Sequence, residues 1–287
     1  MKRFIQASVL MVLITFSVLA QPISSSFQLL KKSITPGSFR HFSKVNNTIF
    51  SIGYEFGVRS FCCKSTDGGA SWQVIGYPFS PADNLNAIQF LTEQLGYLGG
   101  AGGVIYNTTN GGTSWLSVGN PTVYSGGIEA ITFLDQNIGW VCGGTTASGN
   151  VFKTTDGGTT WAIVPNSIPN RSFSDMLWIT PLEAIIVGSG SQYLRTLDGG
   201  ITWTAGTMPG LATSIYNVKQ ADSLTFYAVG TAGRVFKSTD RCSTFALLST
   251  PSTAAYYSSE FYDAQNGVIL GSNGVVFRTT NGGTSWI

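Results

Sequence analysis

The chain has 287 residues, 16 Lys and Arg against 14 Asp and Glu, a formal net charge of +2 and only 10% charged residues. Such a surface lacks the basic footprint that nucleic acid requires, so no nucleic-acid partner is expected. One histidine and four cysteines at scattered positions fit no zinc site or compact disulfide framework, and no metal or cofactor is expected.

Residues 1–20 carry Lys2 and Arg3, an apolar stretch from Val9 to Leu19, and Ala20 with Val18 two before it. That is the pattern of a secretory signal peptide, removed on export. No cysteine follows the cleavage point to take a lipid anchor, and no second long apolar run follows, so no transmembrane segment is expected in the mature chain. The expected location is periplasmic, cell-surface or extracellular. Residues 21–35 form an N-terminal segment in which Phe27 to Ile34 (FQLLKKSI) could supply a closing strand.

From residue 36 to 287 one short segment recurs six times: STDGGASW ending at Trp72, TTNGGTSW at Trp115, TTDGGTTW at Trp161, TLDGGITW at Trp203, STDRCSTF at Phe245 and TTNGGTSW at Trp286. Its acidic or amide positions are Asp67, Asn110, Asp156, Asp198, Asp240 and Asn281, a period of forty-odd residues that signals stacked supersecondary units. Between the boxes, short apolar runs such as Ile131 to Leu134, Gly139 to Cys142, Val151 to Lys153 and Trp161 to Val164 alternate with Asp, Asn and Gly clusters. Four strands per repeat make the blade of a β-propeller, so the expectation is an all-β propeller of about six four-stranded blades, or seven if the sequence is a fragment. The last blade is short of an outer strand, which either Phe27 to Ile34 or chain beyond Ile287 would supply.

In the box, Asp or Asn followed by Gly-Gly bends the chain sharply, since its side-chain oxygen accepts from backbone N–H groups just ahead while glycine tolerates positive φ. The terminal Trp or Phe supplies an apolar face for packing. These residues are read as structural. Arg241 and Cys242 replace Gly-Gly in the fifth box, which is therefore expected to have the most irregular turn. Lys64, Lys153, Arg195, Lys237 and Arg278 recur three residues before the box centre, where solvated outer positions explain them. Cys62, Cys63, Cys142 and Cys242 read as buried strand cysteines.

At GWVCGGTTASGNVFKTTDGGTTW, GYLGGAGGVIYNTTNGGTSW and GVILGSNGVVFRTTNGGTSW the chain resembles the photosystem II assembly and stability factor family, a branch of the Asp-box (BNR-type) propellers. The resemblance covers essentially the whole mature chain. It implies a non-catalytic propeller that binds protein, holding a membrane-protein assembly intermediate in the thylakoid lumen or periplasm. Sialidases, sortilin-like receptors and xyloglucan-active hydrolases carry such boxes too, so the alternative is a glycan-active hydrolase of the same superfamily.

Catalytic groups are few. His41 stands alone, Arg40, Arg59 and Arg171 are the arginines clear of the box regions, and Phe39-Arg40 is followed by His-Phe rather than the Ile-Pro of sialidases. Glycoside hydrolysis needs two carboxyls at a defined separation. Glu93, Asp135, Glu183, Asp222 and Asp263 fall in turns between the first two strands of their blades, and Glu55, Asp83, Glu129, Asp175 and Glu260 are too scattered to name a pair. No catalytic residue is therefore assigned.

Binding is expected on the face opposite the boxes, where long interblade loops rich in Pro, Asn and aromatics lie on a rigid scaffold. Tyr77, Phe79, Tyr124, Arg171, Phe173, Tyr256 and Tyr257 are the loop candidates. The heads of the first strands, near Asn86, Glu129, Asp175, Asn217 and Tyr257, complete the candidate rim around the channel opening. Protein or glycan is the expected ligand.

Overall fold

The repeat grammar folds as it reads, into sheets whose strands are the apolar runs. The structure, a computed structural model, describes residues 37–55, 59–76, 80, 83–119, 126–145, 148–165 and 171–287. Blade 1 comprises Gly37–Val45, Thr48–Glu55, Arg59–Ser65 and Gln73–Gly76; blade 2 Leu85–Phe90, Gly96–Gly100, Ile105–Thr108 and Leu116–Ser117. Blade 3 comprises Ile128–Phe133, Gly139–Thr145, Ser148–Thr154 and Ala162–Val164; blade 4 Phe173–Trp178, Ala184–Gly188, Gln192–Thr196 and Thr204–Thr207. Blade 5 runs Ile215–Gln220, Phe226–Gly230, Val235–Ser238 and Ala246–Leu248, and blade 6 Tyr256–Phe261, Gly267–Gly271 and Val276–Thr279.

Every sheet is antiparallel with its strands in chain order, and the first strands of successive blades lie side by side. The result is a six-bladed β-propeller. In blade 6 the place of the fourth strand is taken by Ile287, which exchanges backbone hydrogen bonds of 2.7 and 2.9 Å with Arg278. The signal peptide and the closing strand expected at Phe27 to Ile34 lie outside the described residues.

The box turn is one hydrogen-bond network repeated six times. In blade 3, Asp156 Oδ1 accepts from Thr160 N at 2.9 Å and Thr154 Oγ1 at 2.8 Å, Oδ2 accepts from Thr160 Oγ1 at 2.6 Å, and Thr154 Oγ1 accepts from Gly158 N at 2.9 Å. Gly157 and Gly158, at φ 72° and 93°, supply the left-handed backbone that brings those N–H groups round. Asn110 keeps the network by donating from Nδ2 to Ser114 Oγ at 2.8 Å.

The fifth box corrects an expectation. Arg241 and Cys242 adopt φ 58° and 63°, the conformation of the glycines they replace, and Asp240 and Ser238 make the same bonds to Thr244 and Cys242. The conformational penalty of about 1–3 kcal/mol per residue is opposed by what the two side chains do. Arg241 pairs with Glu183 of blade 4 at 3.0 Å, and Cys242 is fully buried in the core between blades 4 and 5.

Blades join through a recurring aromatic trio. Tyr97 on the second strand of blade 2 stacks on Phe133 at the end of the first strand of blade 3, centroids 3.6 Å apart, and Trp161 of the blade 3 box stands edge-on to Phe133 at 6.0 Å. Phe50, Phe90 and Trp115 repeat this, as do Tyr227, Phe261 and Trp286, while Trp140, Trp178 and Trp203 form a tilted version. The glycine opposite the stacked ring is required by it, because a Cβ on Gly139 would lie 2.5 Å from the Phe133 ring. In blade 5 the pair is inverted: Gln220 takes the ring position and Phe226 replaces the glycine. Phe245 there packs edge-on against Tyr193 of blade 4 instead, at 5.4 Å.

The cations before the boxes are not simply solvated. Lys64, Lys153 and Lys237 lie over the rings of Phe50, Trp140 and Tyr227, Lys237 also donates to Gly282 O in the next box at 3.1 Å, and Arg195 donates to Ser243 Oγ at 2.9 Å. The three lysines cover aromatic rings of the seam, and Lys237 and Arg195 tie into the next blade's box. All four cysteines are buried and free, three on strands and Cys242 in its box turn.

Two outcomes test this account. Trp161→Ala should cost about 3–5 kcal/mol, the range for a large packed aromatic, and Asp156→Asn much less, because Asn110 shows the amide making the same bonds; chemical denaturation of both variants decides it, and equal losses would refute it. The second concerns acid. Hydrogen bonds from the Thr202 hydroxyl and N–H and from Thr196 hold the Asp198 carboxyl down at about 2. A depressed native pKa gives stability that is present above the unfolded-chain value of 3.8 and is lost as pH falls through 2. Asp198→Asn should therefore flatten the stability profile between pH 4 and pH 2 and leave its slope above pH 5 unchanged.

Candidate functional site

The two faces of the ring are separated by hydrogen bonds. On one, the box turn of each of blades 2 to 6 donates to the turn between the first two strands, as from Gly111 N to Gln94 O and from Gly199 N to Leu182 O, both 2.9 Å. On the other, the hairpin between strands two and three bonds to the loop leading into the same blade, as from Ser189 N to Ser172 O and from Thr231 N to Ser214 O. Interblade loops and these hairpins thus share the face away from the boxes.

At that face each first strand carries a β-bulge at the same place. Register shifts leave Arg40, Asn86, Glu129, Ser174, Tyr216 and Tyr257 without a partner on the second strand. A bulge re-aims the side chain it carries. Five of the six bulged residues meet a neighbour on the next blade: Arg40 donates to Asn86 Oδ1, Asn86 Nδ2 donates to Glu129 Oε1 at 3.3 Å, and the rings of Tyr216 and Tyr257 lie 5.4 Å apart. Four of the six positions are polar or charged, and the two in blades 5 and 6 are aromatic. The sequence pointed to Asn86, Glu129 and Tyr257; it missed Arg40, Ser174 and Tyr216, which only the shared register reveals.

One residue further along in blades 4 and 5, and two in blade 6, a second arc runs through these three blades. Asp175 Oδ2 accepts from Asn217 Nδ2 at 2.8 Å and Val218 N at 2.9 Å, its Oδ1 accepts from Met176 N at 2.9 Å, and Asn217 Oδ1 accepts from Ser259 N and Oγ at 3.0 and 3.1 Å. Burial raises the Asp175 carboxyl above its ordinary range, opposed by Lys219 and by these bonds. Burial raises Glu129 likewise, opposed by Arg40. His41 is exposed to solvent, yet the protein packed around it disfavours the charged ring and Lys219 and Arg40 repel a proton, so its pKa falls to about 4. Lys219 also pairs with Glu260 at 3.5 Å.

Several loop candidates are corrected. Tyr256 is fully buried between blades 5 and 6, opposite Gly271, with its hydroxyl bonded to Ser252 O and its ring edge-on to Phe277. Phe173 is buried in the core between blades 3 and 4. Both stand on the strand position before the bulge, whose side chain points into the blade interface. Arg171 is pinned to the blade 4 hairpin, donating from Nε to Gln192 at 2.9 Å and lying over Gly190. Tyr77, Phe79 and Tyr124 lie outside the described residues. Among the described residues no cluster of His, Cys, Asp and Glu could hold a metal ion, and no helix is long and apolar enough to cross a membrane.

Fold, boxes and channel mouth define an Asp-box β-propeller whose first-strand heads form a mixed polar and aromatic rim. Residues 41–170 match the model of the family described as Photosynthesis system II assembly factor YCF48. YCF48 from Cyanidioschyzon merolae superposes with a TM-score of 0.65 at 18% identity, over 85% of this chain and 82% of that one. A GH74 enzyme from Niastella koreensis (TM-score 0.70, 16% identity) and the GH74 xyloglucanase from Xanthomonas campestris (0.68, 13%) cover 86% and 85% of this chain, which spans 46% of either enzyme. At these identities the solved structures establish the fold alone. No curated protein matches the sequence. The chain is an Asp-box β-propeller that resembles this assembly-factor family over residues 41–170.

The second arc makes a distinguishable prediction. Asn217→Ala strips a donor from buried Asp175 and the acceptor from Ser259, and should destabilise the ring by about 1–3 kcal/mol. Asn86→Ala, whose partners reach solvent, should lose less. Urea denaturation of the two variants checks the order, and a reversed order would contradict the assignment of Asn217 as the interblade link.

Proposed function

We propose that this protein is an exported, non-catalytic scaffold that captures a polypeptide at the channel mouth, in the manner of an assembly factor. The observation that carries the reading is the set of aligned bulges, which gathers Arg40, Asn86, Glu129, Ser174, Tyr216 and Tyr257 at one level of a rigid ring. A paired aromatic surface beside a charged arc suits a peptide with an apolar side chain and a polar backbone. The family match over residues 41–170 supports the same reading. The basic start and apolar stretch of residues 1–20 support export to the periplasm, cell surface or medium, or to the thylakoid lumen in a photosynthetic cell, where a membrane-protein assembly intermediate is the natural partner.

A glycan-active hydrolase would need a pair of carboxyls free to trade protons. Around the channel the carboxylates are otherwise engaged: Asp175 by three donors, Glu129 by Asn86, Glu260 by Lys219, and Asp83 by Ser80 N and the Tyr106 hydroxyl. This favours the scaffold. The double variant Tyr216→Ala/Tyr257→Ala should keep the melting temperature within a few degrees and weaken partner capture from an envelope extract at least tenfold. Undiminished capture would move the site elsewhere, and xyloglucan turnover by the purified protein, lost in Glu129→Gln, would replace the scaffold by the enzyme.

A further inference from the structure

The sequence holds four Asn-Gly pairs, Asn110-Gly111, Asn266-Gly267, Asn273-Gly274 and Asn281-Gly282. In such a pair the backbone nitrogen of the glycine can reach the asparagine's own side-chain carbonyl, because glycine has no Cβ to hinder the approach. Whether it does so depends on how tightly the fold holds the two residues, and the four pairs differ sharply in that respect.

Three pairs are held. In the boxes, Asn110 and Asn281 accept at Oδ1 from Ser114 N and Ser285 N, each at 2.9 Å, and donate from Nδ2 to Ser114 Oγ and Ser285 Oγ at 2.8 and 2.9 Å. The attacking atoms are occupied as well: Gly111 N donates to Gln94 O and Gly282 N to Gln265 O, both 2.9 Å, and both glycines are buried. Asn266 Nδ2 donates to both carboxylate oxygens of Asp263 at 3.0 Å, and Gly267 is buried in its strand against the Phe261 ring. Asn273-Gly274 is different. It forms the tip of the blade 6 hairpin between strands two and three, and both residues are exposed. The Asn273 side chain makes no hydrogen bond to any described residue, and a Cβ on Gly274 would meet nothing within 4 Å. Asn273 fills, at φ 59°, the left-handed position that Gly102, Gly190 and Ala232 fill in blades 2, 4 and 5. Asparagine is among the few residues that adopt it readily.

We propose that Asn273 is a site of spontaneous deamidation, the pair at which the native ring reacts first. The Gly274 nitrogen gives up its proton to solvent base and attacks Asn273 Cγ; the new C–N bond closes a five-membered imide as the Cγ–Nδ2 bond breaks and ammonia leaves. Water then opens the imide, at Cγ to give an aspartate or at the main-chain carbonyl to give an isoaspartate, whose backbone runs through the side chain. Either product replaces a neutral amide by a carboxylate. The hairpin tip lies on the face of the rim and is tied to it: Ser272 N donates to Ala255 O at 2.8 Å and Ala255 N donates to Ser272 Oγ at 3.2 Å, two residues before the bulged Tyr257. The reaction therefore adds a negative charge to the mouth on the side of its aromatic positions, and isoaspartate also lengthens the backbone of the turn.

The test incubates the purified protein at mildly alkaline pH and follows all four sites by peptide mapping, with fragmentation that separates aspartate and isoaspartate from asparagine. Asn273 should convert at least tenfold faster than Asn110, Asn266 or Asn281. In concentrated urea, where the fold no longer distinguishes the pairs, the four rates should converge to within about threefold. Asn273→Gly places there the residue that blades 2 and 4 use, so the hairpin keeps its conformation, and the acidic isoform that accumulates in isoelectric focusing should disappear. Persistence of that isoform in Asn273→Gly, equal native rates at the four sites, or conversion of Asn273 only in urea would overturn the proposal.

Discussion

A ring of sheets holds its shape only if each blade is locked to the next, and here the lock is the face-to-face contact between an aromatic on one blade's second strand and an aromatic on the next blade's first strand. The stack demands the glycine opposite it, sets where the box tryptophan lands, and places a lysine over the rear of the pair. Three blade junctions use this arrangement closely and a fourth in tilted form. The junction of blades 4 and 5 departs from it, and that junction gathers the substitutes: Cys242 in the core, the Arg241 pair with Glu183, and Tyr193 against Phe245.

The channel mouth depends on the same lock. Because neighbouring first strands are held in register, a bulge at the same position in all six repeats brings six unrelated side chains to a common level. Two chains of hydrogen bonds, through Asn86 and through Asn217, then tie three blades each. The buried carboxyl of Asp175 is tolerable because three donors meet it. The same satisfaction leaves it poorly suited to proton transfer.

The architecture was legible because the box is short-range chemistry. Asp, two glycines, a hydroxyl residue and Trp within eight positions name their own hydrogen bonds, and their period counts the blades. The rim was legible only in part. Tyr256 and Tyr257 are adjacent and alike in sequence, but the first lies opposite Gly271 in the core and the second is the bulge, a distinction made by pairing with a strand ten residues away. Phe173 was misplaced for the same reason. The fifth box misled because glycine is the cheapest way to reach positive φ rather than a requirement, and a salt bridge from one side chain with burial of the other can hold two ordinary residues there.

All four thiols are sealed inside the blades and unpaired, and burial pushes those of Cys63 and Cys242 up to about 12. Thiolate, the nucleophile that attacks oxidants and disulfides, is therefore almost absent from the folded chain. The native state carries no covalent cross-link for a reductant to break. Its stability is indifferent to redox compartment, whereas an unfolded copy meeting an oxidant before its blades close exposes four reactive sulfurs at once.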